Sequence, residues 1–435
     1  MNICMFTNTY LPHVGGVARS VDSFAEDLRR RGNNVLIVAP TFPGSSPSSD
    51  NDNVLRVPAI QNFNGSDFSV RIPIPFFTEE RIDSFKPDVI HSHHPFLLGD
   101  AAIRAAYRRN LPLVFTHHTL YEQYTHYVSS DSAIMQQLAI NLSTEYANHC
   151  TRVIAPSESI ASLIAARGVT SPIEVIPTGI DVDHFQSGDG DNFRQAHDIP
   201  KDVFVLGHLG RLAPEKNLDY LCDAVIHAMR KSSQQLRFLV VGTGRSEARI
   251  AEKFEEAGLA QQLIMTGKKE GTDLVDSYNA MDIFVFSSKS ETQGMVLAEA
   301  MSASLPVIAL DASGAREVVQ DKENGRLLPA ETSPEGFAEA ILEGVDQCEQ
   351  TTMWRKAALH RAHQFSRETT ADTLEKLYQK VRQDQQHNPT ESHDSGLDPW
   401  DELIHSLRTE WEILSGKASA LMNSLQKERK KNDNP

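Results

Sequence analysis

Short apolar segments alternate with helical segments along most of the chain. In the first half, helical stretches such as VARSVDSFAEDLRRRG and AAIRAAYRRN separate segments that are apolar over most of their length. These segments are NICMFTNTY, NVLIVAP, DVIHSHHP, LPLVFTHHT and TRVIAPSES. Strands of this kind, joined by crossover helices, are typical of a parallel sheet that is covered on both faces. The pattern therefore predicts an α/β domain with a doubly wound sheet.

The same pattern begins again near residue 203. Its apolar segments are VFVLGHLG, LRFLVVGTG, LIMTGK, DIFVFSS and LPVIALD. The preceding stretch, VIPTGIDVDHFQSGDGDNF, is rich in Gly, Pro and Asp, which favour turns over regular structure. We therefore expect one Rossmann-like domain at residues 1–182 and a second at residues 183–365. A helix at residues 366–382, within FSRETTADTLEKLYQKV, should follow the second domain.

The C-terminal segment, residues 383–435, has a different pattern. QDQQHNPTESHDSG is polar and is predicted to be a flexible linker. Asp398 and Pro399 then supply a helix N-cap and a first-turn proline. Apolar residues follow with heptad spacing at Trp400, Ile404, Leu407, Trp411, Leu414, Ala418, Leu421 and Leu425. This amphipathic helix could pack on its own protein, pair with a second copy through residues 400–425, or lie on a membrane surface.

Composition narrows the class of protein. The chain has 435 residues and a formal net charge of −16, which argues against a protein that coats nucleic acid through clustered Lys and Arg. Its four cysteines lack the spacing of a zinc site, and we interpret them as reduced thiols in a cytosolic protein. No signal peptide and no membrane-spanning run is predicted. We expect a cytoplasmic protein, with peripheral attachment to the inner face of the cell membrane left open.

Two loops at predicted strand ends suit a phosphate ligand. Gly15 and Gly16 lie between the first strand and the first helix, where free N–H groups favour an anion, although glycine can also serve packing alone. Arg211 and Lys216, in GRLAPEKN, follow the first strand of the second domain. Doubly wound sheets bind ligands at the carboxyl ends of their strands, so one or both cations could hold a diphosphate. A solvated basic loop is the alternative.

Three further motifs are candidates for cofactor binding, catalysis or metal binding. VVGTGRSEARI is similar to a dinucleotide-binding fingerprint, but Glu247 at the third glycine position would repel a pyrophosphate, so NAD is not predicted. His117 and His118 follow a strand of the first domain, and at least one should face the ligand crevice; a structural role is the alternative. Acidic pairs that can hold Mg²⁺ lie in the domain join, where we predict no metal site. They are Asp181 with Asp183, and Asp189 with Asp191.

The stretch SKSETQGMVLAEAM carries two glutamates. Glu291 lies in the loop after the buried strand DIFVFSS, and Glu299 lies inside the helix that follows. A carboxylate accepts several hydroxyl hydrogen bonds, so sugar hydroxyls are natural partners, whereas two solvated glutamates are the alternative. The backbone N–H groups around Gly294 would face an anion.

Together these motifs resemble the family 4 retaining glycosyltransferases, over roughly residues 1–382. The resemblance rests on the GGV turn, GRLAPEKN, the E-x7-E pattern, PTGID at the join and the helix FSRETTADTLEKLY. It implies the GT-B fold, with two facing Rossmann-like domains and a late helix that crosses back to the first. It also implies a nucleotide-sugar substrate, no further cofactor and no metal for binding. Ser304 departs from the family pattern EAM-x-x-G-x-P, which affects the local backbone by about 1 kcal/mol.

The resemblance implies a role for each motif residue. The groups placed on the donor diphosphate are Gly15, Gly16, Arg211 and Lys216. Those placed on the transferred hexose are Glu291, the backbone N–H groups of Gln293, Gly294 and Met295, and, at the reacting centre, His118. Those placed on the nucleoside are Glu299 at the ribose and Lys268 at the base. Because Glu299 should lie far from the anomeric carbon, we expect front-face transfer and no glycosidase-like carboxylate pair.

Two stretches narrow the resemblance. ETQGMV, with Gln293 where many members have Phe, and THHTLYEQYTHYV are similar to the 1,2-diacylglycerol 3-glucosyltransferases. They imply transfer of glucose from UDP-glucose to a lipid hydroxyl. A saccharide acceptor of a cell-envelope polysaccharide, a nucleotide-sugar epimerase and a non-catalytic binder are the alternatives. A lipid acceptor favours a basic face, for which arginines at 29–31 and 104–109 are candidates beside solvated helix ends.

Overall fold

The computed structural model describes residues 1–12, 15–42, 53–60, 70–71, 76–122, 133–289 and 291–387. These residues form two compact units. The first contains Met1–Pro177 together with the chain from Thr370, and the second contains Thr178–Thr369. The division falls inside the PTGID motif, after residue 177 and not after residue 182. The predicted helix at 400–425 lies outside the described residues and stays a prediction.

The first unit contains a seven-stranded parallel sheet with the order β3-β2-β1-β6-β7-β8-β9. Its strands are β1 (Asn2–Phe6), β2 (Asn34–Pro40), β3 (Val54–Val57), β6 (Val89–Ser92), β7 (Leu113–Thr116), β8 (Arg152–Ala155) and β9 (Ile173–Val175). Two short strands, β4 (Ala59–Ile60) and β5 (Val70–Arg71), pair antiparallel outside this sheet. The predicted doubly wound fold is confirmed for this half of the chain.

Helices cover both faces of this sheet. They are α1 (Gly16–Arg30), α2 (Phe76–Phe85), α3 (Leu98–Arg108), α4 (Ala133–Asn148), α5 (Glu158–Ala166) and α15 (Arg367–His387). Phe6 packs in one core with Ile103 of α3. Its neighbour Met5 belongs to the opposite core, with Phe24 of α1 and Leu374 of α15. Successive strand residues point to opposite faces, so two covered faces require a strand that is apolar throughout.

The last helix is longer than the sequence predicts. It was expected at residues 366–382, followed by a flexible linker from residue 383, but α15 continues to His387. Asp384 pairs with Arg152 at 3.0 Å, and Gln385 donates to the Asn110 side chain at 2.9 Å. These contacts anchor the extra turn to the first unit, so the linker prediction was wrong for residues 383–387.

The second unit contains a six-stranded parallel sheet with the order β12-β11-β10-β13-β14-β15. Its strands are β10 (Phe204–Leu209), β11 (Leu236–Val241), β12 (Leu263–Met265), β13 (Ile283–Phe286), β14 (Val307–Leu310) and β15 (Gly325–Leu328). Its helices are α6 (Val182–Gln186), α7 (Gly190–Ala196), α8 (Leu218–Lys231), α9 (Glu247–Glu256), α10 (Gly271–Asn279), α11 (Met295–Ser302), α12 (Ser313–Val318), α13 (Pro334–Asp346) and α14 (Cys348–His363). The 3₁₀ turns Pro214–Lys216 and Ala260–Gln262 complete it.

In each sheet the strand order reverses beside the strand that comes first in its unit. β10 lies between β11 and β13, and β1 lies between β2 and β6. At such a point the connections leave toward opposite faces, which opens a crevice at the carboxyl ends of the strands. The loops after β1, β6, β10 and β13 are therefore where a ligand is expected. None of the helices within the described ranges is both long and apolar enough to cross a bilayer.

Candidate active site

The crevice of the second unit brings together two residues that are far apart in the sequence. Lys216 ends the 3₁₀ turn after β10, and Glu291 follows the adjacent strand β13. The Lys216 ammonium donates to the Glu291 carboxylate, and their side chains are only 18% and 20% exposed. A cation suited to phosphate and a carboxylate suited to hydroxyls therefore lie side by side at the carboxyl ends of adjacent strands.

Polar contacts hold the loop of Lys216 on the end of β13. Asn217 adopts the left-handed conformation, with φ of 58°, and turns the chain from the 3₁₀ turn into α8. The Ser287 hydroxyl lies 3.2 Å from the Lys216 carbonyl and 3.0 Å from that of Asn217. Asn217 in turn donates to the Ser287 carbonyl at 3.3 Å. Sequence analysis missed both supporting residues, because only the strand order makes them neighbours.

The other two cations predicted for the donor also have acidic partners. Arg211 pairs with Glu215, and Lys268 pairs with Glu270 at 2.5 Å. All four side chains are exposed, and such surface pairs contribute only about 0–1 kcal/mol. A phosphate or a base could therefore replace either carboxylate at little cost. Lys268 lies beyond β12, which is separated from β13 by the two strands β11 and β10, so the described residues do not bring it to the Lys216–Glu291 pair.

Gly294 shapes the loop between Glu291 and α11. It has φ of 76°, and a Cβ there would lie 2.5 Å from the Gly314 carbonyl oxygen. Gly314 in turn donates from its backbone to the Glu291 carbonyl at 3.1 Å. The helix begins immediately afterwards at Met295. The first N–H groups of a helix have no acceptor within it, so this end suits an anion.

The Gln293 side chain has a structural role. The Thr178 backbone N–H donates to its Oε1 at 2.9 Å, and its Nε2 donates to the Thr178 carbonyl at 2.9 Å. The amide is buried and fastens the PTGID segment to the loop between β13 and α11. The sequence prediction used only the backbone N–H of Gln293, but it also treated the side chain as a guide to the acceptor. Its structural role explains the residue without any acceptor.

Glu299 lies on the buried side of α11 and is 9% exposed. The hydroxyl of Tyr278, from α10, donates to its Oε2 at 2.7 Å. Tyr278 is fully buried and therefore holds the carboxylate in one orientation. Sequence analysis missed this tyrosine because a tyrosine on the apolar face of a helix looks like an ordinary core residue.

Two other motifs have structural explanations. At Gly242 and Gly244, which have φ of 141° and 157°, a Cβ would meet the Gly210 and Leu212 carbonyl oxygens at 1.9 Å and 2.2 Å. The VVGTG glycines therefore serve the packing of two loops. In the join, Asp181 and Asp189 cap α6 and α7 by accepting from the His184 and Asn192 backbones at 3.1 Å and 2.9 Å. Each capping carboxylate stabilises the start of its helix.

In the first unit, Gly16 is open to a ligand. It begins α1 after Gly15, which caps the helix in an extended conformation. A Cβ at Gly16 would meet no described residue within 4 Å, and its φ lies outside the left-handed region. Neither packing nor backbone strain therefore requires glycine at this position. This position therefore leaves room for a ligand to approach the backbone.

A cluster of histidines lies where β6 and β7 end. His91 is hydrogen-bonded at both nitrogens, through Nδ1 to the Tyr378 hydroxyl at 2.6 Å and through Nε2 to the Thr116 hydroxyl at 2.7 Å. His93 Nδ1 lies 2.9 Å from His118 Nε2. The sequence indicated His117 and His118 and a role at the reacting centre for His118, although SHHP at the end of the neighbouring strand was a signal for the others.

Burial keeps these rings neutral. It lowers the pKa of His91 to about 3 and the pKa values of His94 and His117 to about 4. Burial, followed by the neighbouring histidines, lowers the pKa values of His93 and His118 well below their usual range. All five rings are therefore uncharged at neutral pH, and His118 can donate or accept a hydrogen bond but carries no positive charge.

Similarity to known proteins agrees with this geometry. Residues 14–184 match the model described as Glycosyltransferase Family 4, and residues 189–361 match Glycosyl transferases group 1. A GDP-mannose-dependent alpha-mannosyltransferase from Mycobacterium tuberculosis is 30% identical over 76% of this chain and 84% of its own. An alpha-monoglucosyldiacylglycerol synthase from Streptococcus pneumoniae is 28% identical over 81% of this chain and 80% of its own.

Solved structures share the fold. Anabaena HepE in complex with UDP superimposes with a TM-score of 0.71 at 20% identity, covering 87% of this chain and all of that one. WaaG, a glycosyltransferase involved in lipopolysaccharide biosynthesis, gives a TM-score of 0.64 at 16% identity, covering 86% and 99%. The chain belongs to family 4 of the glycosyltransferases. It is a retaining, nucleotide-sugar-dependent glycosyltransferase with the GT-B fold.

Proposed function

We propose that the protein transfers glucose from UDP-glucose to the free hydroxyl of diacylglycerol with retention of configuration. The Lys216–Glu291 pair at the ends of β10 and β13 carries this proposal. A donor sugar nucleotide presents a diphosphate next to a hexose, and the pair presents a cation next to a carboxylate. On binding, Lys216 donates to the diphosphate and Glu291 accepts from the hexose hydroxyls. Lys216 and Glu291 each therefore exchange one charge-assisted hydrogen bond for another.

The remaining donor contacts follow from the family resemblance. The groups proposed for the diphosphate, besides Lys216, are Arg211 and the backbones of Gly15 and Gly16. The groups proposed for the sugar, besides Glu291, are the N–H groups of Gln293, Gly294 and Met295, together with His118. The groups proposed for the nucleoside are Glu299 at the ribose hydroxyls and Lys268 at the base.

The chemistry follows from the charges that develop. Breaking the sugar–phosphate bond builds negative charge on the diphosphate, which Lys216 and Arg211 stabilise. Glu291 and Glu299 do not form an acid–base couple, since one is paired with Lys216 and the other is buried against Tyr278. The leaving phosphate itself then takes the proton of the acceptor hydroxyl, on the face from which it departs. This front-face course retains the configuration of the anomeric carbon.

The lipid acceptor is supported by the pneumococcal relative, whose name specifies diacylglycerol. The mycobacterial relative, named for GDP-mannose, makes mannose the competing donor sugar. The basic faces considered from the sequence offer little to a membrane. Arg109 pairs with Glu79 and Asp83 at 2.7 Å and 2.6 Å, and Arg31 pairs with Asp372 at 2.8 Å. We therefore propose that a peripheral, cytoplasmic location depends on residues 400–425.

A two-by-two assay tests the proposal. Purified protein is given UDP-glucose or GDP-mannose, with diacylglycerol vesicles or a soluble saccharide, and NMR identifies the anomer formed. We expect an α-glucosyl lipid from UDP-glucose and vesicles. A mannosyl lipid would contradict UDP-glucose as the donor, and a glycosylated saccharide would contradict diacylglycerol as the acceptor. A new sugar nucleotide formed without any acceptor would support the epimerase instead.

A truncation after His387 separates membrane attachment from chemistry. It removes the heptad segment and keeps α15 intact. We expect the truncated protein to lose vesicle binding and activity on vesicles, while it keeps the activity on diacylglycerol dispersed in detergent. Full vesicle binding without residues 388–435 would contradict the proposed role of the tail.

A further inference from the structure

His93 is a buried histidine with an unusual hydrogen-bonding state. It follows β6, has no exposed surface, and stacks on His118 with ring centroids 5.2 Å apart and an interplanar angle of 25°. Its Nδ1 lies 2.9 Å from His118 Nε2, whereas its own Nε2 is buried and has no hydrogen-bond partner among the residues that the structure describes. The Nδ1 of His93 therefore has His118 as its partner, and the Nε2 has no partner among the described residues.

The unpartnered nitrogen determines where the proton lies. A neutral imidazole carries one N–H, and its other nitrogen accepts. If His93 carried its proton on Nε2, a buried N–H would have no acceptor among the described residues, which is destabilising and rare in native proteins. If the proton lies on Nδ1, the Nδ1–H donates to His118 Nε2, and only the lone pair of His93 Nε2 is left unpaired. The second arrangement is the more stable one.

This arrangement also determines the state of His118. Its Nε2 accepts from His93, so its single proton must lie on Nδ1. We propose that His93 is a positioning residue, which holds His118 as the neutral Nδ1–H tautomer so that His118 offers one N–H donor to an oxygen of the sugar donor. The choice of ligand rests on the proposed function, but the tautomer does not.

The neutrality of both rings supports this assignment. Burial and the adjacent histidines lower both pKa values well below their usual range, so neither ring gains a second proton at neutral pH. A donor fixed before the ligand arrives needs no reorganisation during the reaction. His118 alone could adopt either tautomer, and in the other one it would present a lone pair to the same oxygen.

His91 provides the contrast within the same cluster. The ring centroids of His91 and His93 are 4.1 Å apart. Both nitrogens of His91, however, are hydrogen-bonded to hydroxyl groups. A hydroxyl can donate or accept, so these partners impose no tautomer on His91. Its contact with Tyr378 joins β6 to α15 and gives it a structural role.

The test is 15N NMR of histidine-labelled full-length protein at pH 7.5 without substrate. The His118 signals are identified by their loss in His118→Gln. We expect the His118 proton on Nδ1 in the wild type and a mixture of tautomers in His93→Leu. In His93→Asn, whose Nδ2 replaces the Nδ1 donor of histidine, the Nδ1–H state should return. A wild-type His118 protonated at Nε2, or no change in His93→Leu, would overturn the proposal.

Kinetics then connect the tautomer to the reaction. We expect His93→Leu to lower kcat by about 10- to 100-fold with little change in the KM of the donor, since a misdirected donor acts mainly in the transition state. His93→Asn should recover most of this loss. Unchanged kcat with the expected NMR result would overturn the link to the donor, whereas a failure of the proposed substrates would leave the NMR result standing. Thermal unfolding confirms that each variant is folded.

Discussion

At the carboxyl ends of their parallel strands, the two units hold their titratable side chains in opposite environments. In the second unit, Arg211, Lys216 and Lys268 each pair with a carboxylate near solvent. In the first unit, five histidines lie together with little or no exposure, and burial keeps them neutral. The same kind of sheet edge therefore supports charged groups in one unit and uncharged rings in the other.

The difference indicates how each region can serve a ligand. A cation paired near the surface can exchange its carboxylate for a phosphate, because both states are charge-assisted and partly solvated. A buried ring cannot gain charge cheaply, so it can act only through fixed hydrogen bonds. We expect the second unit to respond to the charge of the ligand and the first to respond to hydrogen-bond geometry and to acid.

The largest expected effect comes from removing the central cation. Lys216→Ala should lower kcat/KM by about 10²–10³-fold, because a donor aimed at the leaving diphosphate is lost. Lys253→Ala is the matched control, since Lys253 is also a mostly buried lysine of this unit in an ion pair, with Asp223 at 2.6 Å. It should keep normal turnover. Turnover by Lys216→Ala equal to that of the control would remove Lys216 from the site.

Acid should distinguish the two units. The folded-state pKa values of His91, His94 and His117 lie below 6.5, so the unfolded chain binds more protons as the pH falls from 6.5 toward 4. Stability is present above pH 6.5 and is lost in that window, at about 1 kcal/mol per pH unit for each such histidine. Among the described residues of the second unit, only His208 is a fully buried histidine.

Hydrogen exchange resolved by peptide measures this difference. We expect protection in β6 and β7 to fall between pH 7 and pH 5 much more than protection in β10 and β13, after correction for the intrinsic exchange rate. An equal loss in both units would mean that the buried histidines do not set the acid response of the first.

A smaller effect is expected at the Gln293–Thr178 contact, which supports the loop that carries Glu291. Gln293→Leu removes two buried hydrogen bonds and should lower the free energy of unfolding by about 1–3 kcal/mol. Gln234→Leu is the control, because the side chain of exposed Gln234 donates to the Val345 carbonyl at 3.1 Å. Chemical denaturation compares the two variants. A cost for Gln293→Leu no larger than that for Gln234→Leu would show that the contact is not structural.

The smallest expected effect is at Ser304, where the family pattern has glycine. Ser304 adopts φ of 60°, which costs a residue with a side chain about 1–2 kcal/mol. Ser304→Gly relieves this strain but gives the unfolded chain more freedom, worth about 0.4–1 kcal/mol. We expect a net gain in stability of about 0.5 kcal/mol by thermal unfolding. Ser302→Gly, two residues earlier within α11, should instead destabilise the protein by about 1 kcal/mol.

The sequence predicts the scaffold better than the contacts. The alternation of strands and helices is local, so the two sheets and the loops at their ends could be derived from it. Lys216 meets Glu291 only because β10 and β13 are adjacent, and His93 meets His118 only because β6 and β7 are. Strand order depends on packing across the whole unit, so the partners of Lys216, Glu299 and His118 were not predictable. The extra turn of α15 likewise depends on Arg152 and Asn110.

The most direct test of the donor site is calorimetric titration of the wild type and Glu291→Gln with UDP and with UDP-glucose. In the wild type, the diphosphate of UDP must break the ion pair between Lys216 and Glu291. UDP-glucose breaks the same pair, but its hexose hydroxyls then donate hydrogen bonds to Glu291. We predict that Glu291→Gln binds UDP more tightly and binds UDP-glucose about tenfold more weakly, as expected for one charge-assisted hydrogen bond of about 1.5–3 kcal/mol. Equal shifts of both affinities in the same direction would contradict the account.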